Sequence, residues 1–213
     1  MEDFQPSIED GNWRAFYDTV MPPILRAALS CFADKGFHGT SIRQIADRAG
    51  LSVPGLYHHW KSKYDLLLAV IRYAMTDLAA RSDLAEEQAG ASSAEQLDAY
   101  VECMVLFHAK NQQLAFVAAS ELRSIHPDDR PDYVALRDAQ HARLSRIVQR
   151  GAADGEFSVP YPREAVTAVI SMCTGISQWY RADGPLRPEQ LAGRFRHIAR
   201  GAVGAVRSGS AEP

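Results

Sequence analysis

The segment from Ser41 to Trp60 constrains the fold more than any other part of the chain. Within it, Ile42, Ile45, Ala46 and Ala49 recur at i, i+3, i+4 and i+7, which gives a helix one apolar face. Gly50 closes that helix after barely two turns. Ser52 is placed to cap the next one, and Pro54 is tolerated in its opening turn. In this second helix only Leu56 and Trp60 point to a core, so Val53, Gly55, Tyr57, His58 and His59 are left for another surface. Helices this short do not hold in water alone. They must pack on longer neighbours, and two of them joined by Gly50-Leu51-Ser52 make a helix-turn-helix.

The neighbours can be read from the same signals. A first helix is expected to begin near Thr19 to Met21, with Pro22 and Pro23 in its opening turn. It carries Leu25, Leu29 and Phe32 inward and stops at Gly36. Thr40 or Ser41 caps the short helix that follows. Ser62, with Asp65 three residues on, starts a fourth helix that buries Leu66, Leu67, Val70, Ile71 and Ala74 and runs to about Arg81. After a loop at 86–93, helices are expected over 93–110, 112–125, 131–153, 162–182 and 188–206, with Gly and Pro between them. No stretch alternates as a strand does. The chain therefore reads as all-α, with an N-terminal helix-turn-helix module (19–65), a larger C-terminal helical bundle (66–206) and about nine helices. Residues 1–18 read as a flexible arm and 207–213 as a frayed tail.

Composition narrows the function. Of 213 residues, 46% are hydrophobic and 23% charged, which suffices for a folded core. The net charge is -3, yet Val20 to Tyr64 holds six basic residues (Arg26, Lys35, Arg43, Arg48, Lys61, Lys63) against Asp34 and Asp47, a net of +4. Positive charge gathered on one small module suits a polyanion. Cys31, Cys103 and Cys173 are widely spaced in apolar helical contexts and read as buried hydrophobes, not as a metal or disulfide set. No apolar run approaches the ~20 residues that cross a bilayer. The acidic start MEDFQPSIED is unlike a signal peptide, so a cytoplasmic protein is expected. No phosphate-binding loop, dinucleotide fingerprint, nucleophile elbow or zinc-protease motif is present, so neither enzymatic activity nor a cofactor or metal is expected.

Gly36-Phe37-His38-Gly39-Thr40-Ser41-Ile42-Arg43-Gln44-Ile45-Ala46 and then Gly50-Leu51-Ser52-Val53-Pro54-Gly55-Leu56-Tyr57-His58-His59-Trp60-Lys61-Ser62-Lys63 resemble the TetR family of transcriptional regulators. The resemblance spans about residues 20 to 70. It implies that Thr40, Ser41 and Arg43 meet DNA at the start of the second helix. It further implies that Ser52, Val53, Pro54 and Gly55 enter the major groove, and that Tyr57 and His59 bind phosphates. His58 would lie near base edges, and Lys63 would hold a phosphate. The third helix has no Arg, Asn or Gln for a bidentate base contact, so apolar contact with thymine methyls, Arg43 and DNA shape would carry the readout. The alternative is a helix-turn-helix that serves protein contacts alone.

The C-terminal half reads as the sensing and pairing half. The 162–182 helix is apolar nearly all round, and Ala168, Ser171 and Gly175 would let another helix come close. The resemblance implies a homodimer formed by the last two helices, repression of transcription and a small-molecule effector. Met104, Phe107, His108, Phe116, Arg123 and Trp179 are the candidate lining for an apolar or amphipathic ligand, with Arg137 able to meet an anion. Glu121-Leu122-Arg123-Ser124 and the Gly175 to Tyr180 segment are similar to family members that answer to acyl-CoA thioesters. The expected partners are thus double-stranded operator DNA, a second copy of the chain and an effector, with the fourth helix as the lever between them.

Overall fold

The computed structural model describes residues 8, 10–16 and 21–205. Among them the chain forms nine α-helices and one 3₁₀ turn, with a single bridge between Phe157 and Ala205 in place of any sheet. The helices are α1 (Pro23–Gly39), α2 (Ile42–Ala49), α3 (Val53–His59), α4 (Lys63–Glu87), α5 (Ser93–Lys110), α6 (Gln112–Ser120), α7 (Arg130–Ala153), α8 (Pro162–Trp179) and α9 (Pro188–Ala202). The 3₁₀ turn, Glu121–Ser124, follows α6.

Local chemistry sets the boundaries. Ser41 begins α2 in a reciprocal box with Gln44, and Gly50 ends it at φ 69, a left-handed turn that glycine takes without strain. The side chains of Ser52, Ser62 and Ser92 accept from the backbone N–H three residues on and start α3, α4 and α5. The first helix starts later than the sequence suggests, because Pro22 precedes Pro23 and a residue before proline is kept out of the helical region. Its last turn is offset by Gly36, at φ 69 and ψ 169. The fourth helix runs six residues further than expected, to Glu87, carried by the Asp77–Arg81 pair and the buried Ala85.

Two cores result. One gathers Leu25 and Phe32 of α1, Ile45 of α2, Leu56 of α3 and Leu67, Val70 and Ile71 of α4, and continues without a break into Val117 of α6 and Tyr133 of α7. The other centres on α5, where Leu97, Val101 and Val105 pack against α7, α8 and α9. The boundary expected at residue 65 falls inside α4, a continuous helix that serves both cores. Cys31, Cys103 and Cys173 are free and buried. Burial pushes the Cys103 thiol up to about 12, which keeps it unreactive at neutral pH.

The flexible arm needs correction at residues 10–16. Trp13 is buried in the second core. Arg81, wholly buried on α4, pairs with Asp77 at 2.9 Å and donates to the carbonyls of Trp13 and Ala15 at 2.7 Å each. Its guanidinium also stacks over the Phe16 ring at 3.9 Å. A buried cation requires acceptors, and the N-terminal segment supplies two. The tail expected at 207–213 lies outside the described residues.

Gly36 joins the fold to the energetics. Any side chain there meets the strain of a positive φ, and its Cβ would also come within 3.2 Å of Glu121 Oε1. Gly36→Ala is expected to lower stability by about 1–3 kcal/mol, read by urea unfolding.

Candidate nucleic-acid interface and ligand cavity

Leu56 is the only fully buried residue of α3. It pins the helix to Ile45 and Ala46 within one core, with Trp60 packed at its end. The rest of α3 faces out. Tyr57 is 50% exposed, His58 and His59 are exposed with their rings edge to face at 5.3 Å, and Pro54 is exposed beside the half-buried Val53 and Gly55. Ser41 and Arg43 of the α2 start are exposed as well. Among the described residues, neither Arg43 nor Lys61 is engaged in an ion pair, whereas Arg48 is bound to Asp34 at 2.8 Å and Ser30 at 2.6 Å. Ser41 and Ser52 spend one lone pair on their caps and keep their hydroxyl protons for a partner.

Two members of the expected DNA-binding set turn inward. Thr40 is 3% exposed, and its hydroxyl is directed at the carbonyls of Gly36, at 2.8 Å, and Cys31, at 3.0 Å, closing the end of α1. Lys63 donates to the carbonyls of Phe37 and Thr40, both at 2.6 Å, and lies 4.3 Å from the Phe37 ring centre. Partial burial lowers its pKa from the usual lysine value. The offset of α1 at Gly36 leaves carbonyls that want donors, and these two side chains answer them. In the free chain Lys63, expected from sequence to meet a phosphate, holds the helix-turn-helix to α1.

The C-terminal half contains a cavity of about 370 Å³ between α4, α5, α6, α7 and α8. Of the six expected lining residues it brings together Met104, Phe107 and His108, all on α5. The other three lie elsewhere. Ala115, Ala118, Ala119 and Leu122 form the stripe that faces the cavity, and Phe116 sits off that stripe, 37% exposed. Arg123 is exposed on the 3₁₀ turn, and Trp179 is 53% exposed, stacked on Phe195 at 6.2 Å. Arg137 does line the cavity and is exposed, along with His141. Residue spacing alone did not point to Gln140, which is buried on the same wall.

The same α6 that walls the cavity is bonded to the DNA-facing module. Glu121, buried, accepts from the Phe37 N–H at 3.1 Å and from the Ser124 hydroxyl at 2.7 Å. Tyr64, one residue into α4, donates to Asp129 at 2.7 Å, accepts from the His126 N–H at 2.9 Å and stacks on the His126 ring at 4.1 Å. On the far side, α8 is not buried all round within one chain. Ala168 and Trp179 on α8, with His197 and Ile198 on α9, are exposed, and beyond the local helix backbone no described atom lies within 4 Å of a Cβ built at Gly175, Gly193 or Gly201.

Residues 24–70 match the family model for bacterial regulatory proteins of the tetR family, and residues 90–203 match a tetracyclin repressor-like C-terminal domain. The chain belongs to the TetR family. Its TetR-family relatives include the transcriptional repressor KstR2 of Mycolicibacterium smegmatis, 32% identical over 184 residues, which cover 84% of this chain and 88% of that protein. A TetR-family regulatory protein from Rhodococcus RHA1 superposes with a TM-score of 0.81 at 28% identity, covering 86% of this chain and 96% of the other. AibR, solved with isovaleryl coenzyme A and operator DNA, shares the fold with a TM-score of 0.72 at 24% identity, covering 86% and 97%. TetR-family regulators bind operator DNA and dimerise, and no described helix of this member is long and apolar enough to cross a membrane.

Lys63→Met keeps the apolar stem and removes both charge-assisted bonds. It is expected to cost about 1–3 kcal/mol of stability, measured by thermal or urea unfolding in the absence of DNA.

Proposed function

We propose that this protein is a homodimeric, cytoplasmic repressor that binds operator DNA through α2 and α3 and is released by a small apolar or amphipathic effector held between α4 and α8. The observation that carries this reading is α3 itself, a seven-residue helix anchored by one buried leucine and the half-buried Val53, with Pro54, Tyr57, His58 and His59 turned to solvent. A surface so arranged, on a module with net positive charge, suits a DNA groove. Ser41, Arg43 and Tyr57 contact phosphates, while Ser52, Val53, Pro54, Gly55, His58 and His59 lie toward the bases and the adjoining backbone.

The exposed face of α8 and α9, with its large apolar Trp179 and Ile198, supports pairing with a second copy. The two-fold axis would then set two α3 helices into successive major grooves. KstR2 is a repressor, which supports repression as the sign of control. The cavity offers an apolar body with an exposed rim at Arg137 and His141, and AibR carries isovaleryl coenzyme A. An acyl-CoA thioester fits that division, with its acyl chain inside and its phosphates at the rim.

The test is selection of fragments from sheared genomic DNA of the source organism by the purified full-length chain. Enrichment of a near-palindromic site is expected. Arg43→Ala should weaken binding and reduce the slope of log K against log salt by about 1, and Tyr57→Phe should weaken binding at every salt concentration. No enriched site from folded dimer at low salt would overturn the reading.

A further inference from the structure

The cavity contains one polar atom whose state follows from its surroundings. His108 sits on α5 with 6% of its surface exposed. Its Nδ1 lies 2.7 Å from the Met104 carbonyl. A carbonyl only accepts, so Nδ1 carries the proton. Burial holds the imidazole down to about 4, so the ring is uncharged at neutral pH and Nε2 is left with a bare lone pair. Among the described residues, no donor is bonded to Nε2. The ring edge that carries it is the part of His108 left to line the cavity.

Among the lining residues, Ser171 of α8 and the Gln140 amide carry donors, and neither is bonded to this acceptor. The residues that α4 and α6 bring to the cavity are apolar, including Met75, Leu78, Ala118 and Leu122. On α8 the Thr174 hydroxyl is already given to the Ser171 carbonyl at 3.2 Å. On α7, Gln140 Oε1 is a buried acceptor without a partner. The charged groups of that wall, Arg137, Asp138 and His141, are exposed. An acceptor left open toward a cavity favours the molecule that brings it a donor.

We propose that the apolar part of the effector bears a hydroxyl group, and that His108 Nε2 accepts the hydrogen bond from that hydroxyl. The proposal rests on the reading of this cavity as the effector site and narrows the class of effector it takes. His108 is then the residue that separates hydroxylated ligands from otherwise identical skeletons without a donor.

Three probes on one skeleton test it with the intact protein: 2-naphthol, 2-methoxynaphthalene and 2-naphthoate, titrated by calorimetry at neutral pH. 2-Naphthol should bind about tenfold more tightly than 2-methoxynaphthalene, the size of one hydrogen bond, and this advantage should vanish in His108→Phe. Independently of any variant, the ¹⁵N spectrum of the wild-type histidines should show His108 protonated at Nδ1 alone, with the Nε2 resonance moving on addition of 2-naphthol. Equal affinity for the first two probes would overturn the role of His108, as would an advantage that survives in His108→Phe. Tightest binding of 2-naphthoate with proton uptake would show that the site selects an anion instead. Each of these outcomes leaves the cavity reading intact. Binding of none of the three would overturn both, while the selection of DNA fragments stands apart from all four results.

Discussion

A buried carboxylate ties the end of α6 to the end of α1. Glu121 leaves α6 where the helix tightens into a 3₁₀ turn, and its oxygens take the Phe37 N–H and the Ser124 hydroxyl. The charge is out of water, which costs several kcal/mol unless it is matched. The match comes from those two donors, and the positive charge of Lys63 is close enough to act on it. The arrangement needs the backbone at Gly36 to swing to a positive φ, so that Phe37 presents its N–H and a Cβ does not crowd the carboxylate. Lys63 and Thr40 then take up the carbonyls that the same swing leaves over. The reading head, the lever and the cavity wall thus share one set of bonds.

This arrangement shows how a small cavity could act on DNA some distance away. Helix α6 and the 3₁₀ turn after it carry the stripe from Ala115 to Leu122 along the cavity, and Glu121 of that turn is bonded to α1. At the other end of α6, Gln112 donates to the carbonyls of Ser177 and Tyr180, at the end of α8. The helix is held at one end by the proposed dimer face and at the other by the DNA-facing module. A ligand that prefers one position of α6 would shift the balance between two settings of the head. In this proposal the fourth helix, expected from sequence to be the lever, would share that role with α6, and the Tyr64 bonds to Asp129 and His126 tie α4 to the segment before α7.

Much of this was legible in the sequence, and the reasons differ by element. The helices from Ser93 onward lie within a few residues of their expected ranges because Gly and Pro punctuate them strongly. The exposed row of α3 could be read because one leucine is its only fully buried residue. Thr40 and Lys63 could not be placed, since their partners are backbone carbonyls freed by the offset at Gly36 and spacing carries no trace of that. Phe116 and Trp179 were assigned to the cavity by type, whereas the face of the helix decides, and Phe116 stands off the stripe that Ala115 and Ala118 define. The packing of Trp13 escaped for a related reason, because its anchor, Arg81, looks like a surface residue until the fold buries it.

The most direct test of the clamp is the distance between the two reading heads. Spin labels attached at Lys61→Cys, beside α3, would report it by pulsed dipolar spectroscopy, and the three native cysteines are buried away from the reagent. The account predicts one narrow distance distribution for the otherwise unaltered dimer and a markedly broader one when Glu121→Ala is added. A distribution just as narrow in the Glu121→Ala protein would contradict it.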